Sequence, residues 1–198
     1  MKNSSLNNII YNYRGLKFSY VENFYSHDES NNYLDLLLNE VDWKQEQINI
    51  YGKSINLPRL TAYFSDPDVN YSYSGIRHQS LEYPTFINSI KLKTESYFDV
   101  KFNSVLLNRY KNGTNWHGYH SDNEKKLGDM INICSISFGA SRDFIFKSKQ
   151  DKLKKNITLQ NGSALYMMHP TQDNYNHSLP KRTKVLEERV NLTFRYII

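Results

Sequence analysis

Cysteine is nearly absent: the chain of 198 residues has one, Cys134. No intramolecular disulfide can form, and a thiolate-rich structural zinc site is excluded. Long apolar runs are missing too, with nothing near the roughly 20 residues of a membrane-spanning helix. The first residues, Met1-Lys-Asn-Ser-Ser-Leu-Asn-Asn, lack the apolar core of a secretory signal. No internal repeat and no linker divides the chain. The expectation is an intracellular, non-membrane, monomeric protein, nuclear in a eukaryote and cytoplasmic in a bacterium. Its length suits one domain.

Aromatic residues are abundant, with 16 Tyr and 10 Phe. The formal net charge is +5. A polyanionic partner is compatible with that charge, but ordinary surface lysine is the better account of it on composition alone. Composition therefore leaves the partner open, and a site must decide it.

Residues 1–14 are rich in Asn, Ser and Tyr and are expected to form a loosely held arm before a single domain over 15–198. Leu16 to Tyr25 reads as extended chain. Asp28 or Ser30 then stands where a helix carrying Tyr33, Leu34, Leu37, Leu38 and Val41 would be capped. Gln47 to Tyr51 and Leu60 to Phe64 alternate as short strands around Gly52 and Pro58, which predicts a hairpin. Pro84 precedes a predicted helix over Thr85 to Tyr97 with Phe86, Ile90 and Tyr97 near one face. Beyond it come closely spaced strands: Phe102 to Tyr110, Ile131 to Phe138, Asp143 to Phe146, Ile157 to Leu159, Ala164 to Met168 and Arg189 to Ile197. That texture favours a jelly roll or sandwich over a parallel α/β sheet.

The sharpest local feature is His120-Ser121-Asp122, because residues two apart in extended chain project to one face and can grip one ion. A second histidine would complete a two-His, one-carboxylate triad of the kind that holds non-haem iron with open positions. The downstream candidates are His169 and His177. His177 is preferred because it lies in a polar turn, whereas His169 follows Met167-Met168 at a strand end.

The last strand alternates strictly, with Arg189, Asn191, Thr193 and Arg195 on one face and Val190, Leu192 and Phe194 on the other. Such a polar face meets water in most sheets. In a jelly roll with a central pocket it would line the pocket, and two arginines there could hold a dicarboxylate bidentately. Asn108 and Tyr110 share a face of an earlier strand and could serve the same ligand.

In order and approximate spacing, Asn108-Arg-Tyr110, His120-Ser-Asp122-Asn-Glu124, Ser135-Ile-Ser-Phe-Gly-Ala-Ser-Arg-Asp143-Phe, His177-Ser-Leu-Pro and Arg189-x-Asn-x-Thr-x-Arg195 resemble the AlkB dioxygenases. The resemblance runs from about Pro58 to the C-terminus and is nearest to the DNA-repair members of the AlkB homologue two type. It implies a mainly β (α+β) fold: a double-stranded β-helix core over 98–198, supporting N-terminal helices and a nucleotide-recognition lid over 45–80. It implies Fe(II) on His120, Asp122 and His177. Asn108, Tyr110, Arg189, Asn191, Thr193 and Arg195 would hold 2-oxoglutarate, with Arg189 on the distal carboxylate and O2 as oxidant.

The implied reaction is oxidative removal of the alkyl carbon from bases such as N1-methyladenine and N3-methylcytosine in single- or double-stranded DNA, releasing formaldehyde. Tyr63, Phe64, Tyr73 and Glu124 would contact the flipped base, and Ile50, Tyr51 or Ile55 would wedge the stack. Lysines at 125, 126, 147, 149, 152, 154, 155 and 181, with Arg182, could hold phosphates. An RNA demethylase on the same scaffold, a catalytically silent nucleic-acid-binding module and a zinc hydrolase stand as the competing readings.

Overall fold

A computed structural model describes residues 8–50, 52–67, 69, 71–73, 76–78 and 81–198, apart from the side chains of 49, 50, 71–73 and 76–78. The chain opens with β1 (Asn8–Tyr13) and β2 (Leu16–Val21), paired antiparallel. They are joined by Arg14 and Gly15, both at positive φ as a tight two-residue hairpin turn requires. The arm expected over 1–14 thus gives way to a strand from residue 8 onward. Its side chains are mostly exposed, so backbone pairing and the stacking of Tyr11 on Phe18 at 5.2 Å hold it. Apolar patterning carries no trace of that arrangement.

Helix α1 (His27–Glu40) is capped by Ser26 rather than Asp28 or Ser30: its hydroxyl accepts from the Glu29 amide while the Glu29 carboxylate accepts from the Ser26 amide. Strand β3 (Gln47–Ile50) then pairs with β4 (Lys53–Asn56) as a separate two-stranded ribbon. The hairpin expected between 47–51 and 60–64 is therefore closed one strand earlier, around Gly52. Strand β5 (Leu60–Ser65) instead joins the main sheet. A second short ribbon follows, β6 (Tyr71–Tyr73) with β7 (Ile76–His78). Helix α2 (Thr85–Phe98) buries Ile87, Ile90 and Thr94, and Phe86 packs partly buried against the same core, so the expected face keeps Phe86 and Ile90, adds Ile87 and leaves Tyr97 at its exposed edge.

The remaining chain supplies β8 (Ser104–Tyr110), β9 (His117–His120), β10 (Ile133–Gly139), β11 (Arg142–Ser148), β12 (Lys154–Leu159), β13 (Ser163–Met167), a single helical turn α3 (Thr171–Asn174), β14 (Tyr175–Leu179) and β15 (Arg189–Arg195). A seven-stranded sheet runs β1-β2-β13-β10-β15-β8-β5, and a four-stranded sheet runs β12-β11-β14-β9. Both are antiparallel, and together they form the double-stranded β-helix.

Period two divides the large sheet into two faces. Cys134, Ile136, Phe138, Val190, Leu192 and Phe194 pack against the side covered by Leu37 of α1 and Ile87 and Ile90 of α2. The opposite face meets Phe144, Phe146, Tyr175 and Leu179 of the small sheet in a second cluster. Strand β15 is buried along its whole length, so its polar face looks into the space between the sheets and not into water.

Candidate metal and co-substrate site

His120 ends β9, Asp122 follows two residues later, and His177 stands opposite His120 in the register of β14. One ligand atom from each lies within 4.8 Å of the other two, and His120 Nε2 is 3.6 Å from Asp122 Oδ1. Arg195 orients the carboxylate by donating from Nε and Nη2 to Oδ2 at 3.2 and 2.8 Å. The Asp122 amide donates to Gln172 Oε1 at 3.1 Å. Oδ1 is left buried without a hydrogen-bond partner among the described residues. His120 Nδ1 lies 2.9 Å from the Gly118 carbonyl, which can only accept, so the lone pair is on Nε2.

The protonation states suit a cation. Burial lowers His120 below its ordinary value and, with His120 adding repulsion, pushes His177 down to about 3. Burial opposes charge on Asp122, but Arg195 and the two imidazoles outweigh it and hold the carboxyl below the usual carboxylate range. Neutral imidazoles beside an ionised carboxylate are the metal-binding forms. With a buried carboxylate oxygen lacking any other partner, the residues fit Fe(II) with positions left open.

Asn108, Tyr110, Arg189, Asn191, Thr193 and Arg195 line the same cavity as the three metal-type side chains. Burial pushes Arg189 down to about 10, which leaves it a cation at neutral pH. Its Nη2 donates to Ser137 Oγ at 2.9 Å, its guanidinium lies 5.4 Å from the Tyr110 ring centroid, and its Nε is buried without a hydrogen-bond partner among the described residues. Asn191 donates to Ser135 Oγ at 2.7 Å, and Thr193 donates to Asn191 Oδ1 at 3.1 Å. A buried cation with an unused donor is a place for a carboxylate. The whole set fits a dicarboxylate reaching toward the triad.

A model of the 2OG-Fe(II) oxygenase superfamily matches residues 17–195. The human protein named DNA oxidative demethylase ALKBH2 is 38% identical over 160 residues, covering 77% of this chain and 61% of that protein. The chain belongs to the AlkB branch of this superfamily. The Arabidopsis thaliana protein named DNA oxidative demethylase ALKBH2 is 32% identical over 212 residues, covering 93% of this chain and 67% of that protein. Human alpha-ketoglutarate-dependent dioxygenase alkB homolog 3 is 33% identical over 176 residues, with 83% and 60% covered. The chain thus spans about three-fifths of the length of the human relatives. The solved structure of OsALKBH1 superposes with a TM-score of 0.62 at 16% identity, covering 93% of this chain and 99% of that one, which speaks to the fold.

In this AlkB chain His177 sits in a buried strand and not in a turn. His169 lies apart from the triad, 3.3 Å from Asp173. Adjacent positions on β5 face opposite ways, so Tyr63 belongs to the cluster between the sheets and Phe64 to the helix side. They cannot clamp one base together, and Phe64 is removed from the site. Glu124 precedes a 3-10 turn over Lys125–Leu127 and is absent from the cavity lining. Tyr73 lies in β6, its side chain outside the described residues, as are the Ile50 side chain and Tyr51; Ile55 is exposed. Lys149 is tied to Ser121 Oγ at 3.0 Å and the Gln172 carbonyl at 2.8 Å, so it is an internal strut as well as a charge.

The sequence reading missed five contributors. Ser135 and Ser137 hold Asn191 and Arg189; their alternation with Cys134, Ile136 and Phe138 in a core strand was the available signal. Arg59 donates from Nε to Asn108 Oδ1 at 2.6 Å, and Gln172 reaches Asp122 from α3. The fifth is His117, whose ring stacks on His120 at 3.8 Å and 20°. Residues three apart on a regular strand face opposite ways, but here His117 and His120 pair with Leu179 and His177, so three steps on β9 match two on β14. That β-bulge turns both rings inward.

Proposed function

We propose that this protein removes alkyl groups oxidatively from ring nitrogens of nucleobases, such as N1-methyladenine or N3-methylcytosine in DNA, with 2-oxoglutarate as co-substrate and formaldehyde as product. The observation that carries the reading is the single cavity in which the His120, Asp122 and His177 group faces the Arg189 to Arg195 polar strand. The likeness to proteins named DNA oxidative demethylase supports the nucleobase part.

His120, Asp122 and His177 would hold Fe(II), which when bound supplies oxygen activation coupled to decarboxylation of the oxo acid. Arg195, hydrogen-bonded to Asp122, stands at the metal end of β15, so Arg189, six residues along the same face, would take the distal carboxylate. Asn191 and Thr193 would bond the ligand between them, and Arg59 would keep Asn108 turned inward. Arg195 keeps Asp122 ionised and aimed. Phe144, stacked on His177 at 5.2 Å, walls that imidazole from water. A base in a duplex cannot enter such a cavity, so the target would be extruded or already unpaired.

The test is an N1-methyladenine oligonucleotide incubated with iron-loaded protein, 2-oxoglutarate and oxygen. Loss of about 14 mass units per base, one methylene, with matching succinate is expected, and Asp122→Asn should yield neither. Succinate without base repair would reject the substrate. Neither product from folded, iron-loaded protein would reject the oxygenase activity.

A further inference from the structure

We infer that the outer rim of β9 is a docking surface for unpaired nucleotides flanking the base in the pocket, so that the preferred partner is single-stranded nucleic acid. The inference rests on the nucleobase reading above. Trp116 and Tyr119 are 37% and 46% exposed, and neither belongs to the buried clusters. Each ring carries an ammonium over it: Lys181 Nζ is 5.7 Å from the Trp116 centroid and Lys147 Nζ 5.5 Å from that of Tyr119. Large aromatic rings kept in water at a cavity mouth, each beside a cation, are the pattern of a binding surface rather than of packing.

The position follows from the bulge. His117 and His120 line the cavity, while the rings on either side of Gly118 remain outside. The Trp116 amide donates to the Pro58 carbonyl at 3.3 Å, which ties this end of the rim to the segment leaving the β3–β4 ribbon. At the other end Lys147 stands across from Lys154 on β12 and Asn176 on β14, which carries positive charge away from Tyr119. Asp143, also on β11, is already paired with Arg182 at 2.6 Å.

Trp116 and Tyr119 stand three residues apart, about 10 Å of extended backbone, a reach that one or two extended nucleotides cover. Every base has a π-face, so such a platform is indifferent to sequence, yet only an unpaired base can lie on it. The ammonium groups meet the phosphates between. A duplex offers the lysines its backbone but gives the rings nothing to stack on.

The experiment uses the metal-free 198-residue chain with undamaged oligothymidylate, a duplex of equal length, and inorganic polyphosphate as a polyanion without bases. Only two indoles report, Trp43 and Trp116, and Trp43 is anchored by its Nε1 donating to the Leu37 carbonyl at 3.0 Å. Oligothymidylate should quench indole fluorescence and polyphosphate should not. Trp116→Leu should abolish the quenching, and Trp116→Leu and Tyr119→Leu should each weaken oligothymidylate binding about tenfold while duplex binding stays within about twofold. Equal quenching by polyphosphate, or wild-type affinity in both folded variants, would overturn the proposal. Repair of methylated oligonucleotides with an unquenched Trp116 would sink the docking surface alone. Quenching without any repair would sink the repair reading alone.

Discussion

Asp122 and Arg195 are a buried pair, 1% and 4% exposed at the side chain, and this decides how the site should be disabled. Asp122→Ala strands a guanidinium in the core, at a cost of about 3–5 kcal/mol, so lost activity would be confounded with unfolding. Asp122→Asn keeps an acceptor for Arg195 and should unfold within about 2 kcal/mol of wild type while losing at least a hundredfold in Fe(II) affinity. Denaturant unfolding beside metal titration separates the two effects. His117 offers no ligand atom to the triad but stacks on the ring of one that does. His117→Leu should therefore weaken divalent-metal affinity about tenfold with little change in stability, as loss of a group that orients a ligand does. Unchanged affinity would reduce His117 to a wall of the cavity.

Elements were legible in the sequence where one face is apolar and the other is not. Strand β15 was readable because Val190, Leu192 and Phe194 alternate with Arg189, Asn191, Thr193 and Arg195, and β8 because four consecutive apolar or small positions precede Asn108. Strands β9 and β14, which carry the histidines, were not. In His117-Gly-Tyr-His120 a bulge breaks the period, and in Tyr175-Asn-His-Ser-Leu179 the inward position is itself polar. Site-bearing strands lose the periodicity that reveals strands, because the site replaces the apolar side chains that would mark it. The inward-facing triad was therefore readable as residue types in order, while the strands positioning it were not.

Two further expectations belong to elements. Glu95, buried on α2, accepts from the Phe102 amide at 2.8 Å and pairs with Lys91 at 3.0 Å and Lys101 at 3.3 Å. Burial opposes its charge, but these partners outweigh it and hold the carboxyl below its ordinary value. A depressed carboxyl contributes stability that is complete above its unfolded-state value and lost as pH falls through its folded-state value. Glu95→Gln should thus cost about 1–2 kcal/mol at neutral pH, with the gap to wild type closing as urea titrations move into acid; a gap independent of pH would contradict the assignment. Gly113 clasps two loops, its amide donating to the Val185 carbonyl at 2.8 Å and its carbonyl accepting from the Arg182 amide at 2.7 Å. An added Cβ would collide with the Arg182 carbonyl. Gly113→Ala should lower stability by about 1–3 kcal/mol or more, measured as a fall in Tm.

At the scale of the whole molecule, two sheets of unequal size enclose one cavity. Helices α1 and α2 cover only the far side of the larger sheet and contribute nothing to the chemistry; α3 alone reaches the site, where Gln172 accepts from the Asp122 amide. The β3–β4 ribbon is closed at its base by the Leu57 amide donating to the Glu46 carbonyl at 2.8 Å. It can be shortened without cutting the core: replacing 47–56 with a two-glycine link should leave Tm nearly unchanged and 2-oxoglutarate binding intact, while raising KM for a methylated oligonucleotide at least tenfold.

The central claim is that the triad of the small sheet and the polar face of β15 form one site for a metal and a dicarboxylate together. Anaerobic calorimetry of 2-oxoglutarate binding, with and without Fe(II), to wild type, Asp122→Asn and Arg189→Met tests it most directly. Tight binding that requires the metal, and that is lost in both variants while each remains folded, is the expected result. Binding that ignores the metal, or that survives the loss of Arg189, would contradict it.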